Sequence, residues 1–491
     1  MSSHHVSWAL PTKLVICLLC SQAFLQCVQA LRTRSSGSGT PTAAMQDMFA
    51  HMLLRASVTM SSPSENARMS STLAWKRNRS ADDPPRIELK YDNAPQLRVY
   101  VYDMPSPFTT DILSEPPPEG PACGWTNTYA EELLLHRQLL NSPVRTLDPE
   151  LADLFYVPFY LFDDCAPWNL RKKCRRDTWF CFDDDYIGLF DTPGKALAHV
   201  AETWEFFNRS AGADHLAAIT VDMGRCMMSP EHRKRFSEVR FLLASSEYGE
   251  GRGCFRPGYD VAIPPMIGED YLEYGEIQYR GIGNATGNPL AMFIGEYNPI
   301  LYDNASLQRK HLLARYKCTH EPTCSEADCT GSRECPERGV IVWDHHTPAY
   351  VGFLARSRYC IHAEGTAYWS NRLYASIVVG CVPVVYTGEH ESAFSMPVRE
   401  VVPYEDIVVK IPFSLLNRTA EILRGIGDEE YRQRLNGMRQ GREALMYRDP
   451  PVVGGALDST LWELSRLHKQ RESLPASRFD ALTGAPLKTS L

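Results

Sequence analysis

The sequence predicts an α/β fold of two lobes, each a parallel sheet covered by helices, with a cleft between them. Short apolar runs alternate with helical patterns twice along the chain, from about residue 96 to 288 and again from 289 to 427. Strands that alternate with helices predict parallel sheets buried on both faces. The 491 residues exceed the usual length of one domain, and a hydrophobic content of 44% is enough for two cores.

The first thirty residues form a targeting segment. Lys13 precedes an apolar stretch over residues 14–25, and the small residues Val28 and Ala30 follow it. A stretch of this length is typical of a cleaved signal peptide, and an uncleaved signal anchor is the alternative. A buried core helix is the third interpretation. Residues 31–95 are rich in Ser, Thr, Arg, Met and Pro and are predicted to be a stem or linker.

The first lobe, residues 96–288, is predicted from β-branched and aromatic runs with helical patterns between them. The turn and short helix at Asp148–Asp153 lead into one of these strands. The predicted strands are Leu97–Tyr102, Leu154–Pro158, Leu216–Val221, Arg240–Ala244 and Asp260–Ile263, and the predicted helices are Thr128–Leu140 and one that ends near Phe207.

The second lobe, residues 289–427, repeats the pattern, and a helical tail at 428–491 is expected to pack back across the lobes. Ligands bind at the carboxyl ends of strands in open parallel sheets, so the site is expected after Cys360-Ile361. The predicted strands are Leu290–Ile294, Gly339–Trp343, Arg358–Ile361 and Val382–Tyr386, and the predicted helices are Ser306–Tyr316, Thr347–Arg356 and Trp369–Val379.

The segment 358–385 reads as a strand, a glycine-containing loop, a helix and a second strand. Gly365 allows a tight turn, and the N-terminus of the following helix offers free N–H groups to a diphosphate. Arg372 lies in the first turn, where a guanidinium can make a bidentate contact with phosphate. An ordinary strand, loop and helix with a surface arginine is the alternative interpretation.

The same segment resembles the signature of the exostosin family (glycosyltransferase family 47). The matching stretches are Tyr359-Cys-Ile-His-Ala-Glu-Gly-Thr366, Ser370-Asn-Arg-Leu-Tyr-Ala-Ser-Ile377 and Gly380-Cys-Val-Pro-Val384. Other family motifs resemble Val99–Tyr102, Ala152–Pro158, Trp204–His215, Thr220–Gly224 and Arg256–Pro264 in the same order. The resemblance covers residues 97 to about 425. It implies a GT-B type fold of two Rossmann-like lobes and a nucleotide-sugar donor.

The chain departs from the family signature at three positions of the expected donor site. Ala363 and Thr366 replace Pro and Asp, and Ala375 replaces an acidic residue that commonly holds the donor ribose in GT-B enzymes. Glu364 and Glu389 are the nearest acidic substitutes. The residues expected to bind the donor are Gly365, Thr366, Ser370, Asn371, Arg372, Glu364 and Glu389.

The resemblance also implies inverting transfer, in which a general base takes the proton of the acceptor hydroxyl. The candidates in the first lobe are Asp214, His215 and Asp222, because histidine is a common general base and Asp222 follows a strand end. The alternative is that Asp214 and His215 only cap or brace the strand that follows them.

No metal cofactor is predicted. The acidic run Asp183-Asp-Asp185 could bind metal, but it is interpreted as a solvated loop because it lies in an insertion of the first lobe. His345-His346 could also coordinate metal, and hydrogen bonding near the crevice is the favoured interpretation.

Cysteines and sequons indicate a lumenal protein. Three of the 15 cysteines lie in the targeting segment, which leaves an even 12. Cys318, Cys324, Cys329 and Cys335 are predicted to form two disulfides rather than a zinc site, and Cys360 and Cys381 are expected to be paired or buried. Acceptor sequons begin at Asn78, Asn208, Asn284, Asn304 and Asn417.

These observations predict a glycosyltransferase that moves a sugar from a nucleotide-sugar donor to a glycan or glycoprotein acceptor. The expected location is the Golgi membrane, as a single-pass type II protein, with a cleaved and lumenal or secreted form as the alternative. A transferase oligomer is a further expectation, and the mild net charge of −8 argues against nucleic acid as a partner. A catalytically degenerate lectin or assembly partner is the second hypothesis, and a hydrolase that uses Glu364 and Glu389 is the third.

Overall fold

The computed structural model describes most of the two predicted lobes, all within one compact unit that spans Pro84–Leu491. The targeting segment, the stem, the Asp183–Asp185 run and the C-terminal 22 residues lie outside the described part. No helix in the described part is long and apolar enough to cross a membrane. The described residues are 97–105, 108–109, 131–161, 191–247, 254–267, 271, 289–295, 307–322, 335–345, 347, 349–364, 370–388, 395–448 and 451–469.

The first lobe is a six-stranded sheet in which every neighbouring pair of strands is parallel. The strand order is β2-β1-β3-β4-β5-β6, so the chain reverses direction across the sheet between β1 and β3. The strands are β1 (Val99–Val101), β2 (Arg145–Thr146), β3 (Leu154–Tyr156), β4 (His215–Ile219), β5 (Arg240–Leu243) and β6 (Val261–Ala262), and the helices are α1 (Glu131–Leu140), α2 (Thr192–Thr203), α3 (Phe206–Ser210) and α4 (Pro230–Arg235).

Two helices of this lobe, α2 and α4, begin at capping residues. Asp191 accepts a hydrogen bond from the backbone N of Gly194 at the start of α2, at 3.1 Å. Ser229 caps α4 in the same way. Pro230 directly follows Ser229, and Pro193 lies two residues after Asp191. All five residues of β4 are buried, as expected for a parallel strand covered on both faces.

The second lobe is a five-stranded sheet in the order β11-β10-β9-β7-β8, again parallel throughout. The predicted α/β class, with two parallel sheets, is therefore confirmed. The strands are β7 (Ala291–Ile294), β8 (Val340–Trp343), β9 (Tyr359–His362), β10 (Val382–Thr387) and β11 (Val409–Pro412), and the helices are α5 (Leu307–Tyr316), α6 (Tyr350–Arg356), α7 (Asn371–Val379), α8 (Tyr404–Ile407) and α9 (Thr419–Gly425).

Two edge strands were missed by the sequence prediction. β2 has only two residues, neither of them buried, so no hydrophobic pattern marks it. β11 alternates between buried and exposed residues, with Lys410 exposed, as is usual for a strand at the edge of a sheet.

The chain after residue 427 packs against both lobes. Helix α10 (Asp428–Gly441) contacts β10 and α7 of the second lobe, and helix α11 (Ala456–Lys469) contacts β6 of the first. Between these helices, the carbonyl of Arg448 accepts a hydrogen bond of 2.8 Å from Gln138 of α1. The C-terminal segment therefore links the two lobes.

Three disulfides lie in the described part. Cys318 pairs with Cys335 and Cys360 with Cys381, which confirms the disulfide interpretation for these four cysteines. A third bond joins Cys226 to Cys254 and was not predicted. Cys324 and Cys329 lie outside the described residues.

The edge of the first sheet is held by a buried ion pair between Arg256 and Asp260. Arg256 Nε and Nη2 donate to the two carboxylate oxygens at 2.9 and 2.6 Å, and both side chains are almost fully buried. Asp260 also accepts from the backbone N of Phe241 at 3.0 Å, and Arg256 donates to the carbonyl of Val239 at 2.6 Å. These contacts fix the loop before β6 against β5.

Replacing Arg256 with Met should destabilise the protein by about 3–5 kcal/mol, because the carboxylate of Asp260 would remain buried without its partner. Urea unfolding followed by fluorescence measures this change. Arg418→Met is the control, since Arg418 pairs with Glu421 on the exposed surface, and it should leave the midpoint unchanged. Equal midpoints for the two variants would contradict the role of the buried pair.

Candidate donor site at the β7/β9 crevice

The second sheet reverses its strand order between β7 and β9. The chain runs from β7 to β8 on one side and then returns to place β9 on the other side of β7. In open parallel sheets, ligands bind in the crevice outside the carboxyl ends of the two strands at such a reversal. The described residues at this point are those directly after the two strands and those at the start of helices α5 and α7 as the structure describes them.

Arg372, in the first turn of α7, reaches across to the end of β7. Its Nη2 donates to the carbonyl of Ile294 at 3.0 Å, and its guanidinium lies 4.7 Å from the ring centroid of Phe293. Its Nε and Nη1 are buried and have no hydrogen-bond partner among the described residues. Buried guanidinium donors without partners are rare, because burial of an unsatisfied donor costs free energy. This makes Arg372 a candidate for binding an anion.

A second arginine, Arg309 of α5, lies on the same aromatic ring. Its guanidinium is 5.7 Å from the Phe293 centroid, and its Nε approaches the carbonyl of Ala363, just after β9, at 3.4 Å. The sequence prediction missed Arg309, because its place beside β9 depends on strand order. A basic residue in the first turn of the helix after β7 was the signal that could have found it.

Glu364 is held at the same crevice by Gln308. The side-chain amide of Gln308 donates to Glu364 Oε1, and its carbonyl oxygen accepts from the backbone N of Glu364 at 3.3 Å. Gln308 itself is buried. This two-point contact fixes both the backbone and the carboxylate directly after β9, where the sequence predicted a donor contact.

Two of the other predicted donor residues, Ser370 and Asn371, lie in the described part of the chain. Ser370 directly precedes α7, and its hydroxyl pairs with Nδ1 of the buried His362 at 3.2 Å instead of capping the helix. Asn371 is the first residue of α7. Gly365, Thr366 and Glu389 lie outside the described residues.

Ala375 does not face the crevice. It is 4% exposed and packs in an apolar cluster with Phe353 and the Cys360–Cys381 disulfide. An acidic side chain here would have to be buried among apolar groups, which is costly. Ala375 therefore does not take a carboxylate away from the crevice, because its side chain points into the core. Among the described residues, Glu364 provides a carboxylate at the crevice.

In the first lobe, Asp214 and His215 lie at the amino end of β4 rather than at its carboxyl end. His215 is fully buried, with Nδ1 2.7 Å from Asp214 Oδ1 and Nε2 2.9 Å from the hydroxyl of Tyr102. Ser210 also donates to Asp214. Burial acts to raise the pKa of Asp214, but the hydrogen bonds from His215 and Ser210 outweigh it and hold the pKa below its usual value.

This arrangement favours the bracing interpretation for Asp214 and His215. Both ring nitrogens of His215 are engaged, and its ring stacks on Phe155 with centroids 4.9 Å apart. The four-residue rise from His215 to Ile219 places it about 13 Å from the carboxyl end of the strand. Asp222, half-buried, lies on the carboxyl side of β4, and it is the one of the three at the edge where ligands usually bind in open parallel sheets.

The histidine pair after β8 gives no described metal site. His345 is exposed and pairs with Asp344 at 2.7 Å, while Asp344 also accepts from Lys317 at 2.5 Å. Within the described residues, no group of three or more histidine, cysteine or acidic side chains is placed to hold a metal ion. His346 lies outside the described part.

A separate cavity of about 360 Å³ lies between β6, residues 395–400 and α11. Its charged lining contains both signs, with Arg240, Arg466 and Glu463 among the residues, and Arg466 pairs with Glu463 at 2.5 Å. It shares no residue with the β7/β9 crevice. The strand reversal, rather than this cavity, marks the site.

Comparison with known proteins identifies the family. A family model of the exostosin GT47 domain matches residues 93–426. The chain belongs to the exostosin GT47 family. It is therefore a glycosyltransferase of GT-B type, as the sequence predicted.

Its similar proteins include several plant transferases. A protein of Oryza sativa subsp. japonica named "Probable glucuronosyltransferase" is 27% identical over 400 residues, which cover 77% of this chain and 83% of the relative. A protein of Arabidopsis thaliana named "Probable beta-1,4-xylosyltransferase" is 26% identical over 400 residues, which cover 77% and 83%. A "Probable glucuronosyltransferase" of Physcomitrium patens is 26% identical over 380 residues, which cover 76% and 75%.

Gly295→Ala should weaken binding of a nucleoside diphosphate about tenfold, a loss of about 1.4 kcal/mol. A Cβ on Gly295 would collide with the guanidinium of Arg372 and push it away from the end of β7. Isothermal titration calorimetry measures the affinity. Gly425→Ala is the control, because a Cβ there meets open space. Unchanged affinity in Gly295→Ala would show that the position of Arg372 does not matter for binding.

Proposed function

We propose that this exostosin-family glycosyltransferase binds its nucleotide-sugar donor with the diphosphate between Arg309 and Arg372. The observation that carries the proposal is the pair of buried, unpartnered guanidinium nitrogens of Arg372 at the strand reversal. A guanidinium presents its donors in a planar fork that matches phosphate oxygens. A second arginine on the same ring doubles the positive charge at this point.

Two arginines suit the chemistry of the leaving group. When the bond from the anomeric carbon to the diphosphate breaks, negative charge develops on the departing diphosphate. Fixed positive charges at that position stabilise the transition state more than the ground state. A helix N-terminus favours negative charge, and α7 begins here, with Ser370 and Asn371 at its start and Gly365 and Thr366 earlier in the sequence. We propose that charge neutralisation by these groups replaces a metal ion.

Glu364 is the proposed contact for the donor ribose. Its carboxylate lies at the crevice, where two hydrogen bonds with Gln308 fix the residue. Carboxylates accept hydrogen bonds from ribose hydroxyls in other nucleotide-binding α/β proteins. The apolar setting of Ala375 supports this assignment, since the usual acidic position on the helix faces the core here. Glu389 is a second proposed contact by its place in the sequence, after β10.

For the transferred sugar we propose glucuronate or xylose, and for the acceptor a glycan or glycoprotein. The names of the similar proteins support these two sugars. Inversion at the anomeric carbon in a single displacement is part of the same proposal. The sequence features of the N-terminus, the sequons and the disulfides support a Golgi-membrane or lumenal location, and a transferase oligomer is proposed with it.

Arg372→Ala and Arg309→Ala should each lower the affinity for uridine or guanosine diphosphate by tenfold or more. Arg372→Lys should recover only part of the loss, because an ammonium cannot reproduce the planar fork. Thermal shift with each diphosphate measures binding, since a ligand that binds only the folded state raises its stability by RT ln(1 + [L]/Kd). Hydrolysis and transfer assays with activated glucuronate and xylose then identify the donor.

Arg315→Ala is the matched control, because Arg315 lies on α5 like Arg309 but pairs with Glu337 at the surface. Its diphosphate affinity should equal that of the wild type. Diphosphate binding that survives in both Arg309→Ala and Arg372→Ala would refute the proposed site.

A further inference from the structure

The cavity beside β6 is formed by three separate parts of the chain. Strands β5 and β6 and the loop between them contribute one part of its lining, residues 395–400 of the second lobe contribute another, and helix α11 contributes the third. Its volume of about 360 Å³ is within the range of small-molecule sites, which occur preferentially where domains meet. The cavity therefore has the size and the position of a ligand site separate from the donor crevice.

Hydrogen bonds between the lobes fix the wall that residues 395–400 provide. The backbone N of Ser395 donates to the carbonyl of Ser246 at 3.1 Å, and the hydroxyl of Ser246 donates to the carbonyl of Ser395. Val398 has a left-handed backbone conformation, with a φ of 44°, which costs free energy for a β-branched residue. Such strain persists only where the surroundings impose one shape, so this wall is a built part of the structure.

The lining extends from the solvent to the interior. Gly258 is exposed, and 69% of the side chain of Arg399 and 45% of that of Glu400 are exposed. Other lining residues are buried, with Arg240 and Phe255 only 4% and 2% exposed. A molecule can therefore enter the cavity past the exposed residues and contact the buried ones.

The charged groups of the lining are balanced. Three are arginines and three are acidic, and the most deeply buried of the acidic ones, Asp260, is paired with Arg256. An anion such as a diphosphate would meet carboxylates here, and a cation would meet guanidinium groups. The balance favours a ligand without net charge that both donates and accepts hydrogen bonds. The six charged residues are Arg240, Arg399, Arg466, Asp260, Glu400 and Glu463.

Glu463 of α11 indicates the chemistry of this ligand. Its Oε1 pairs with Arg466 at 2.5 Å, whereas its Oε2 is buried and has no hydrogen-bond partner among the described residues. The last torsion of a glutamate side chain turns at little cost, so this carboxylate can face a molecule in the cavity. An ionised carboxylate only accepts hydrogen bonds, so its missing partner is a donor. A sugar hydroxyl or a water molecule can donate, and a fully ionised phosphate or carboxylate group cannot.

Apolar groups complete the lining. Phe255, Met396 and Leu467 lie among the charged residues. A sugar ring carries hydroxyls at its edge and C–H groups on its faces. It therefore suits a cavity that combines an aromatic ring and aliphatic groups with a few hydrogen-bonding side chains.

We propose that this cavity is a second saccharide-binding site, which holds an uncharged segment of a glycan apart from the donor crevice. Glu463 accepts a hydrogen bond from a sugar hydroxyl, Arg399 donates to a sugar oxygen at the exposed end, and Phe255 packs against the ring. No covalent bond changes at this site. The cavity shares no lining residue with the donor crevice, so the two sites can be tested separately.

Saturation-transfer NMR on the purified protein tests whether the site binds uncharged saccharides. The probe is xylotetraose, a neutral β-1,4-linked saccharide, and tetragalacturonate is the anionic comparison. We expect transfer to the ring protons of xylotetraose, also when uridine diphosphate is present in excess, and none to tetragalacturonate. No transfer to xylotetraose or to maltotetraose at millimolar concentration would overturn the proposal, since water alone would then satisfy Glu463. Loss of transfer on addition of uridine diphosphate would also overturn it.

Two substitutions show whether the saccharide binds in this cavity. Glu463→Gln keeps the size of the side chain but replaces one acceptor oxygen with an NH₂ group, so the affinity for xylotetraose should fall about tenfold. Arg399→Ala removes an exposed donor and should lower the affinity by a smaller factor. Glu421→Gln is the matched control, because it also breaks an arginine–glutamate pair but lies on the surface outside the cavity lining, and its affinity should equal that of the wild type.

Diphosphate binding, followed by thermal shift, separates this proposal from the proposed donor site. Glu463→Gln should keep the wild-type affinity for uridine diphosphate, and Arg372→Ala should keep the wild-type affinity for xylotetraose. Equal xylotetraose affinities in the wild type, Glu463→Gln and Arg399→Ala would overturn the cavity assignment and leave the donor site unaffected. If Glu463→Gln fails to fold, Arg399→Ala decides the question, because its side chain is exposed.

Discussion

The hydrogen bond from Arg372 to the carbonyl of Ile294 ties the start of α7 to the end of β7, and the donor crevice depends on it. The contact requires β7 and β9 to be neighbours, because α7 follows β9 in the chain. It also requires Gly295, since a side chain there would occupy the space of the guanidinium. The carbonyl of Ile294 accepts from Nη2 of Arg372. The Nε and Nη1 groups of Arg372 have no hydrogen-bond partner among the described residues and stay available to a ligand. This hydrogen bond therefore orients the guanidinium that is proposed to bind the diphosphate.

Hydrogen-bonded acidic side chains lie at both edges of the first lobe's sheet. At the amino edge, Ser210, Asp214, His215 and Tyr102 form a closed hydrogen-bonded chain. At the carboxyl edge, Glu132 accepts from the backbone N–H and the hydroxyl of Thr220, and Glu131 accepts from the backbone N–H of Met266. At both edges these hydrogen bonds offset the cost of burying a carboxylate and fix the loops that flank the strands.

Sequence patterns were sufficient for what is local in the chain. The strand, loop and helix around Arg372 could be read directly, because a strand and the helix after it share one edge of the sheet. Arg309 and Gln308 were missed, since 54 or more residues separate them from their contacts at 363 and 364. Those contacts depend on strand order, and hydrophobic periodicity carries no information on order. The contacts of Glu131 with Met266 and of Glu132 with Thr220 were hidden for the same reason, within a correctly predicted helix.

The two halves of the proposed reaction lie on different lobes, so the distance between them is a catalytic variable. In that proposal, Arg309 and Arg372 hold the leaving group on the second lobe, and the acceptor binds on the first. Displacement in one step requires the base, the anomeric carbon and the leaving group to be aligned within hydrogen-bond reach. The C-terminal segment sets this spacing. The carbonyl of Arg448 accepts a hydrogen bond from Gln138 of α1, and helices α10 and α11 pack on opposite lobes.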